Sequence, residues 1–363
     1  MQRPSLAVFA LLLVAGTFAA AGPRAALLML VGLGLGLVLE GLRFGFAGPW
    51  RQIITERDGR GLVAQFIAIG LVALVAFPLL SAFPEELQGA HAPIGLAMIA
   101  AAFVFGTAMQ LVMACGSGTL VNAGSGNLLA LAALPGFILG SFLGSLHQVW
   151  WTGLGTLPVY TLQGIFGSNA GLLVTLTGLT LLILATVWRA APGKRLPSSR
   201  LWLAAGLLAA LAVLNLVIAG QSWGVVYGLG LWGAKFADLA GWQLAGNVFW
   251  AAPANAERLQ QSLLTDVTSV TNIGMICGAF LVMRWRRVAA DQVPALTPNS
   301  WLVVILAGLV LGYSSRIAFG CNVGAFFSGV STGSLHGWAW FLAAFAGSML
   351  GLRLKPHMLR VAG

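Results

Sequence analysis

Two cysteines stand where apolar runs fall apart. In "FGTAMQLVMACGSGTL" (105–120), Cys115 is followed by Gly116, Ser117 and Gly118. In "LGYSSRIAFGCNVGAF" (311–326), Cys321 is followed by Asn322, Val323 and Gly324. Gly and Asn tolerate sharp turns and positive φ, so each run predicts a helix that breaks at its thiol. A break frees backbone N–H groups, and a helix that restarts after it offers them to an anion. A thiol adds a weak S–H donor and a soft sulfur surface. Arg316 lies within the second apolar run. A cation there favours an anion nearby, or snorkels to an interface. Only Asp266 puts a carboxylate in the interior of an apolar segment, Glu40 standing at the end of another, whereas a cation or proton carrier usually places several there. These groups suit a sulfur-containing anion. The third thiol, Cys277 in "NIGMICGAFLVM" (272–283), has no polar break after it. Packing and path lining both remain open for it.

The two cysteine segments also match each other. Gly106, Cys115 and Gly118 align with Gly312, Cys321 and Gly324 at a constant offset of 206. Further along, "LGSFLG" (139–144) resembles "AGSMLG" (346–351). The chain thus reads as one transport domain (1–363) built from two copies, 1–168 and 169–363.

The elements that carry these segments follow from composition. Of 363 residues, 59% are hydrophobic and 8% charged, against about 25% charged in soluble domains. Runs long enough to cross ~30 Å of hydrocarbon fall at 5–22, 25–40, 62–83, 94–115, 128–146, 169–188, 201–219, 262–283, 301–320 and 336–352. The expected fold class is an all-α polytopic membrane protein with nine or ten spans and broken or short re-entrant helices. The first run, behind a basic start, mimics a signal peptide, but the topology makes better sense if it stays.

The net charge of +10 is scattered over short loops, which argues for a bilayer rather than nucleic acid as partner. With the N-terminus inside, 15 Lys and Arg fall in inside loops and 3 (Arg24, Lys235, Arg258) in outside ones. The positive-inside rule therefore puts both termini in the cytoplasm. The two cysteine runs then cross in opposite directions, which makes the copies an inverted repeat, as in secondary transporters. Three cysteines without CxxC or Cys/His spacing give neither a disulfide framework nor a zinc site. The sequence shows no Walker motif, no evident sodium site and no sign of a cofactor or catalytic residue. Asp266 is expected to cap the helix that follows it. His147 and His336 are expected at the membrane surface, and the Trp-rich stretches 147–151 and 222–236 in interface belts.

"GCNVGAFFSGVSTGSLHGW" (320–338), "ACGSGTLVNAGSGN" (114–127) and "LRFGFAGPWRQI" (42–53) resemble the signature segments of the YeeE/YedE family of thiosulfate and sulfur-compound permeases. The resemblance runs from about residue 30 to 355. It implies an hourglass-shaped inverted repeat in the bacterial inner membrane, whose thiols hand thiosulfate along by hydrogen bonds. Cys115 and Cys321 would be two of those thiols. Members of the family are also linked to selenium metabolism and to cytoplasmic sulfurtransferase partners of the TusA type. Family members typically have cysteine in an "RFCF"-like context, where this chain has "RFGF" with Gly45.

The sequence therefore reads as a permease importing thiosulfate or a related sulfur anion, not as an enzyme. Cys115, Cys321, Cys277, Gly116, Ser117, Gly118, Asn322, Gly324 and Arg316 are its candidate binding residues. The neutral thiol is the wanted form, since a thiolate would repel the anion. The alternative is a thiol that carries sulfane sulfur or selenium as a persulfide to a cytoplasmic acceptor.

Overall fold

The computed structural model describes residues 3–286 and 296–360; Arg287, counted above among the inside cations, lies outside them. The described chain is helical: α1 (Arg3–Gly41), α2 (Ala47–Glu56), α3 (Arg60–Ala82), α4 (Leu96–Val112), α5 (Gly116–Gly124), α6 (Leu128–Gly153), α7 (Leu162–Phe166), α8 (Ser168–Arg189), α9 (Ser199–Ala219), α10 (Val226–Leu239), α11 (Val248–Ala251), α12 (Pro253–Gln260), α13 (Val267–Arg286) and α14 (Pro298–Ile317), then a π-helical turn (Asn322–Ser328), α15 (Gly329–Ser331) and α16 (Leu335–Met358). Among the described residues no strand forms; three isolated bridges tie loops together.

Nine of these stretches are long and apolar enough to cross a membrane. The first holds two of the ten expected runs. Its 39 residues would extend about 58 Å at ~1.5 Å per residue, roughly twice the hydrocarbon thickness. Gly22, at φ 80° and ψ −176°, breaks it just before Pro23. Leu6, Ala7 and Ala10 line one cavity with Leu37 and Gly41, so the chain turns back at Gly22 and the two segments lie antiparallel. The helix α13 starts at Val267 rather than 262, because the Asp266 carboxylate caps it by accepting from Ser269 N at 2.7 Å. That is the cap expected from the sequence.

In lipid there is no hydrophobic drive to bring apolar helices together, so close backbone packing must do it. Three helix pairs here are built on glycines four residues apart. Gly32 and Gly36 of α1 face Gly274 and Gly278 of α13. Gly136 and Gly140 of α6 face Gly308 and Gly312 of α14. Gly347 and Gly351 of α16 lie on α4 beside Gly106. At each contact a Cβ would run into the backbone of the facing helix, for instance into the Phe137 carbonyl from Gly312 and the Ala344 carbonyl from Gly106. Aromatic rings fill the space where these pairs meet. Trp50 and Phe66 pack on Phe326, Trp340 and Phe341, and Phe326 stacks on Phe341 at 4.7 Å.

Replacing Gly312 by leucine therefore forces α6 and α14 apart, at a cost of about 3 kcal/mol, the upper end for overpacking. The expected readout is a clearly lowered melting temperature in detergent. Gly206→Leu, at a position where a Cβ meets nothing within 4 Å, should melt like the parent.

Candidate functional site

Both cysteine runs break, and by the same backbone geometry. α4 stops at Val112 and α14 at Ile317. Two residues before each cysteine, Met113 (φ 61°) and Phe319 (φ 59°) take left-handed conformations. Side chains larger than glycine hold that region only at a cost of about 1–3 kcal/mol, when their surroundings over-determine it. The cysteines that follow return to extended backbone, φ −84° for Cys115 and φ −101° for Cys321. Each then stands at the N-cap of a new helical segment, α5 or the π-helical turn. A π-turn inside a helix is rare and frequently functional. Gly320, at φ 149°, could not be replaced at the second break, because a Cβ there would stand 2.6 Å from Ala325 N.

The Cys115 Sγ accepts from Gly118 N at 3.4 Å and lies 3.4 Å from Ser117 Oγ. One backbone donor freed by the first break, Gly118 N–H, thus turns onto the thiol. The Cys321 Sγ sits 2.8 Å from where a Cβ on Gly116 would be. The structure therefore brings the second thiol directly against the residue next to the first, and any side chain at Gly116 would displace it. Both cysteines are buried. Asn322 beside them is fully buried, and neither atom of its amide has a partner among the described residues.

Two cavities approach this contact from opposite ends of the bundle. The first vestibule, about 260 Å³, is lined by Arg43, Gly45, Met113, Cys115, Ser117, Gly118, Asn122 and Arg286, among others. The second, about 410 Å³, is lined by His91, Trp223, Gly224, Tyr227, Phe249, Arg316, Gly320 and Gly324, among others. They lie at opposite ends because α3, whose 23 residues make one crossing, runs from the α2 end to the loop that carries His91. Cys321 and Asn322 line neither cavity and are fully buried, forming a closed waist between them. Aromatic rings close that waist: Phe46, Trp223 and Phe327 lie 5.8–6.4 Å apart, edge to face or tilted.

Each vestibule ends on a tight turn held from behind by a buried amide. Gln65 donates to the Gly45 carbonyl at 2.8 Å and to that of Phe46 at 3.3 Å, and is itself fixed by Trp50 Nε1 at 3.0 Å. Asn272 donates to the Val225 carbonyl at 3.0 Å. These braces were not visible as a pair in the sequence. They stand 207 positions apart, close to the cysteine offset, and that spacing is the signal that could have found them. Gly45 lines the first vestibule, and a Cβ built on it meets nothing within 4 Å, so a side chain there is sterically allowed. Nearby, Asp58 binds Arg60 through both oxygens, at 2.6 Å for the closest pair. Those hydrogen bonds hold the Asp58 carboxyl below the usual carboxylate range, so the pair stays charged and closed at neutral pH.

Other expectations fare differently. Arg316 does not snorkel away. It passes Gly144 and lies over Phe249 at 4.5 Å and Tyr227 at 5.3 Å, inside the second vestibule. Cys277 reaches neither vestibule and packs in a satellite apolar cluster with Leu33 and Val14. His147 is exposed and contacts the Tyr313 hydroxyl at 3.0 Å. His336, expected at a membrane surface, is 1% exposed and bonded to Ser334 Oγ at 2.7 Å. Trp223, expected in an interface belt, is 1% exposed, because its turn is drawn into the waist.

The architecture is that of a polytopic all-helical membrane protein whose polar groups gather at two interrupted helices. Residues 42–350 match the model of the sulphur transport family, and the chain belongs to that family, in agreement with the YeeE/YedE resemblance. It is 27% identical to the thiosulfate transporter TsuA of Spirochaeta thermophila over 329 residues, 85% of this chain and 92% of that one. It is 30% identical to the probable transporter YedE of Escherichia coli over 139 residues, 38% of this chain. That match spans only 33% of YedE.

The geometry sets an order of thiol reactivity. A charged thiol reagent given to both faces of membrane vesicles should label Cys115, at the floor of the first vestibule, at least tenfold faster than Cys321. Single-cysteine variants followed by mass spectrometry check this, and equal rates would mean that Cys321 is as open to the reagent as Cys115.

Proposed function

We propose that the chain is a permease that takes thiosulfate or a related sulfur anion inward across the bacterial inner membrane, through the contact between Cys115 and Cys321. The observation that carries this is the placement of the Cys321 thiol against Gly116, in a closed waist between two vestibules. Kinship with TsuA, named as a thiosulfate transporter, supports the substrate class. The count of 15 inside against 3 outside cations supports cytoplasmic termini. The second vestibule then faces out and the first faces the cytoplasm.

The anion enters the second vestibule, meets the Cys321 thiol, passes to Cys115 and leaves along Ser117, Gly118 and Asn122. Each neutral thiol donates one hydrogen bond, worth about 1 kcal/mol net. Weak sites in series let an ion enter and also leave. Asn322 offers its unpartnered amide at the same depth. Cys277, away from both vestibules, takes no part. The matched breaks at Met113 and Phe319, and the reciprocal pairing of α4 with α16 and α6 with α14, support an inverted repeat of 1–168 and 169–363. Two buried thiols with no basic group bonded to them favour the relay over a persulfide carrier. A TusA-like acceptor at the cytoplasmic face would take up sulfur after passage.

The test is uptake of radiolabelled thiosulfate, and growth on it as sole sulfur source, in a bacterial strain without other sulfate and thiosulfate importers. The wild-type chain should support both. Cys321→Ala and Cys115→Ala should each lower uptake at least tenfold, with serine at either position intermediate because it keeps a donor. If the wild type fails while Gly45→Cys succeeds, thiosulfate is not the natural substrate.

A further inference from the structure

The second vestibule contains two donors shut away from solvent that have no acceptor among the described residues, Arg316 Nε and Trp223 Nε1. Such groups are rare in folded proteins, and each asks for an explanation. Here the two share one cavity, whose lining residues include no Asp or Glu. A cation without a carboxylate inside a membrane protein is a functional feature by default.

The surroundings fix how Arg316 can be used. Phe249 and Tyr227 lie over the guanidinium at 4.5 and 5.3 Å. Rings that stack on a guanidinium leave its N–H edge for in-plane hydrogen bonds. The box is rigid: the Tyr227 hydroxyl donates to Asn255 Oδ1 at 2.7 Å, and Asn255 Nδ2 donates to the Phe249 carbonyl at 2.8 Å. Trp223 is anchored through its own carbonyl, which accepts from Ser328 Oγ at 2.7 Å. Gln148, with its Oε1 also unpartnered, can turn its NH₂ toward the same space.

We propose that the second vestibule is an oxyanion-binding site, in which the edge of Arg316 and the indole N–H of Trp223 hold the oxygens of a small tetrahedral dianion. This deepens the permease reading and rests on it for the role of the site, which stages the anion ahead of Cys321. The two stations read different atoms. The vestibule reads oxygens with hard, fixed donors, and the waist reads sulfur with thiols. An oxyanion without a terminal sulfur, such as sulfate, therefore occupies the vestibule without being passed on and competes with thiosulfate from that side. A monatomic anion such as chloride has no separate oxygens to offer the two donors and should bind more weakly.

The experiment is equilibrium binding of radiolabelled sulfate to the purified full chain in detergent, with unlabelled thiosulfate or chloride as competitor. Sulfate should bind, thiosulfate should displace it, and chloride at the same concentration should not. Arg316→Gln should weaken sulfate binding at least tenfold and Trp223→Phe about fivefold, while Lys194→Gln, which removes a cation elsewhere, should leave it unchanged. Trp223→Phe decides the matter if Arg316→Gln does not fold, as judged by thermal melting. Absence of sulfate binding, or binding that neither variant weakens, overturns the proposal. The two readings fail separately. Sulfate binding intact with no thiosulfate uptake sinks the permease and leaves the site; thiosulfate uptake without inhibition by sulfate does the reverse.

Discussion

A helix broken inside a membrane must give its freed backbone groups to something other than lipid. Everything unusual in this molecule answers to that constraint. The two breaks at Met113 and Phe319 leave donors and carbonyls at mid-depth, so both must be buried in protein. The glycine-lined pairs α4–α16 and α6–α14 do this. Their backbones approach so closely that the breaks are walled off from the bilayer, and the space left inside is small and polar. The thiol of Cys115 then takes one freed N–H, and the Cys321 thiol fits against Gly116 because no side chain stands there.

The same constraint shapes the two turns that close the vestibules. Gly45 and Phe46 have carbonyls facing inward with no helix to receive them, and Gln65 reaches across to donate to both. At the other turn Asn272 does the same for Val225. Braces of this kind keep irregular backbone at membrane depth without water. They also fix the aromatic rings of Phe46 and Trp223 in the waist, which separates the two cavities by a few side chains rather than by a thick core.

Much of this was legible in one dimension. The run lengths, the placement of Arg and Lys, and the cysteines followed by glycine or asparagine gave the helices, the breaks and the candidate thiols. They did so because spans, loops and helix breaks are local properties of composition. Other features were misread for an equally physical reason. A tryptophan between Ser222 and Gly224 in an apolar stretch looks like an interface anchor. Whether it faces lipid or the waist depends on which way its turn is pulled, and the pull comes from elements far along the chain. His336 was misplaced likewise, since its depth is set by packing against Gly329 and by Ser334.

The sequence by itself determined the class of protein, the number of apolar runs and the breaks at Cys115 and Cys321. Only the tertiary structure decided which polar groups meet. It set Cys321 against Gly116 and turned Cys277 out into a satellite cluster. It boxed Arg316 between Phe249 and Tyr227, and it left the Trp223 N–H unpaired in the same cavity. The reason is that a helix face has no address until another helix packs on it, and here the packing is set by glycines whose partners lie about two hundred residues away.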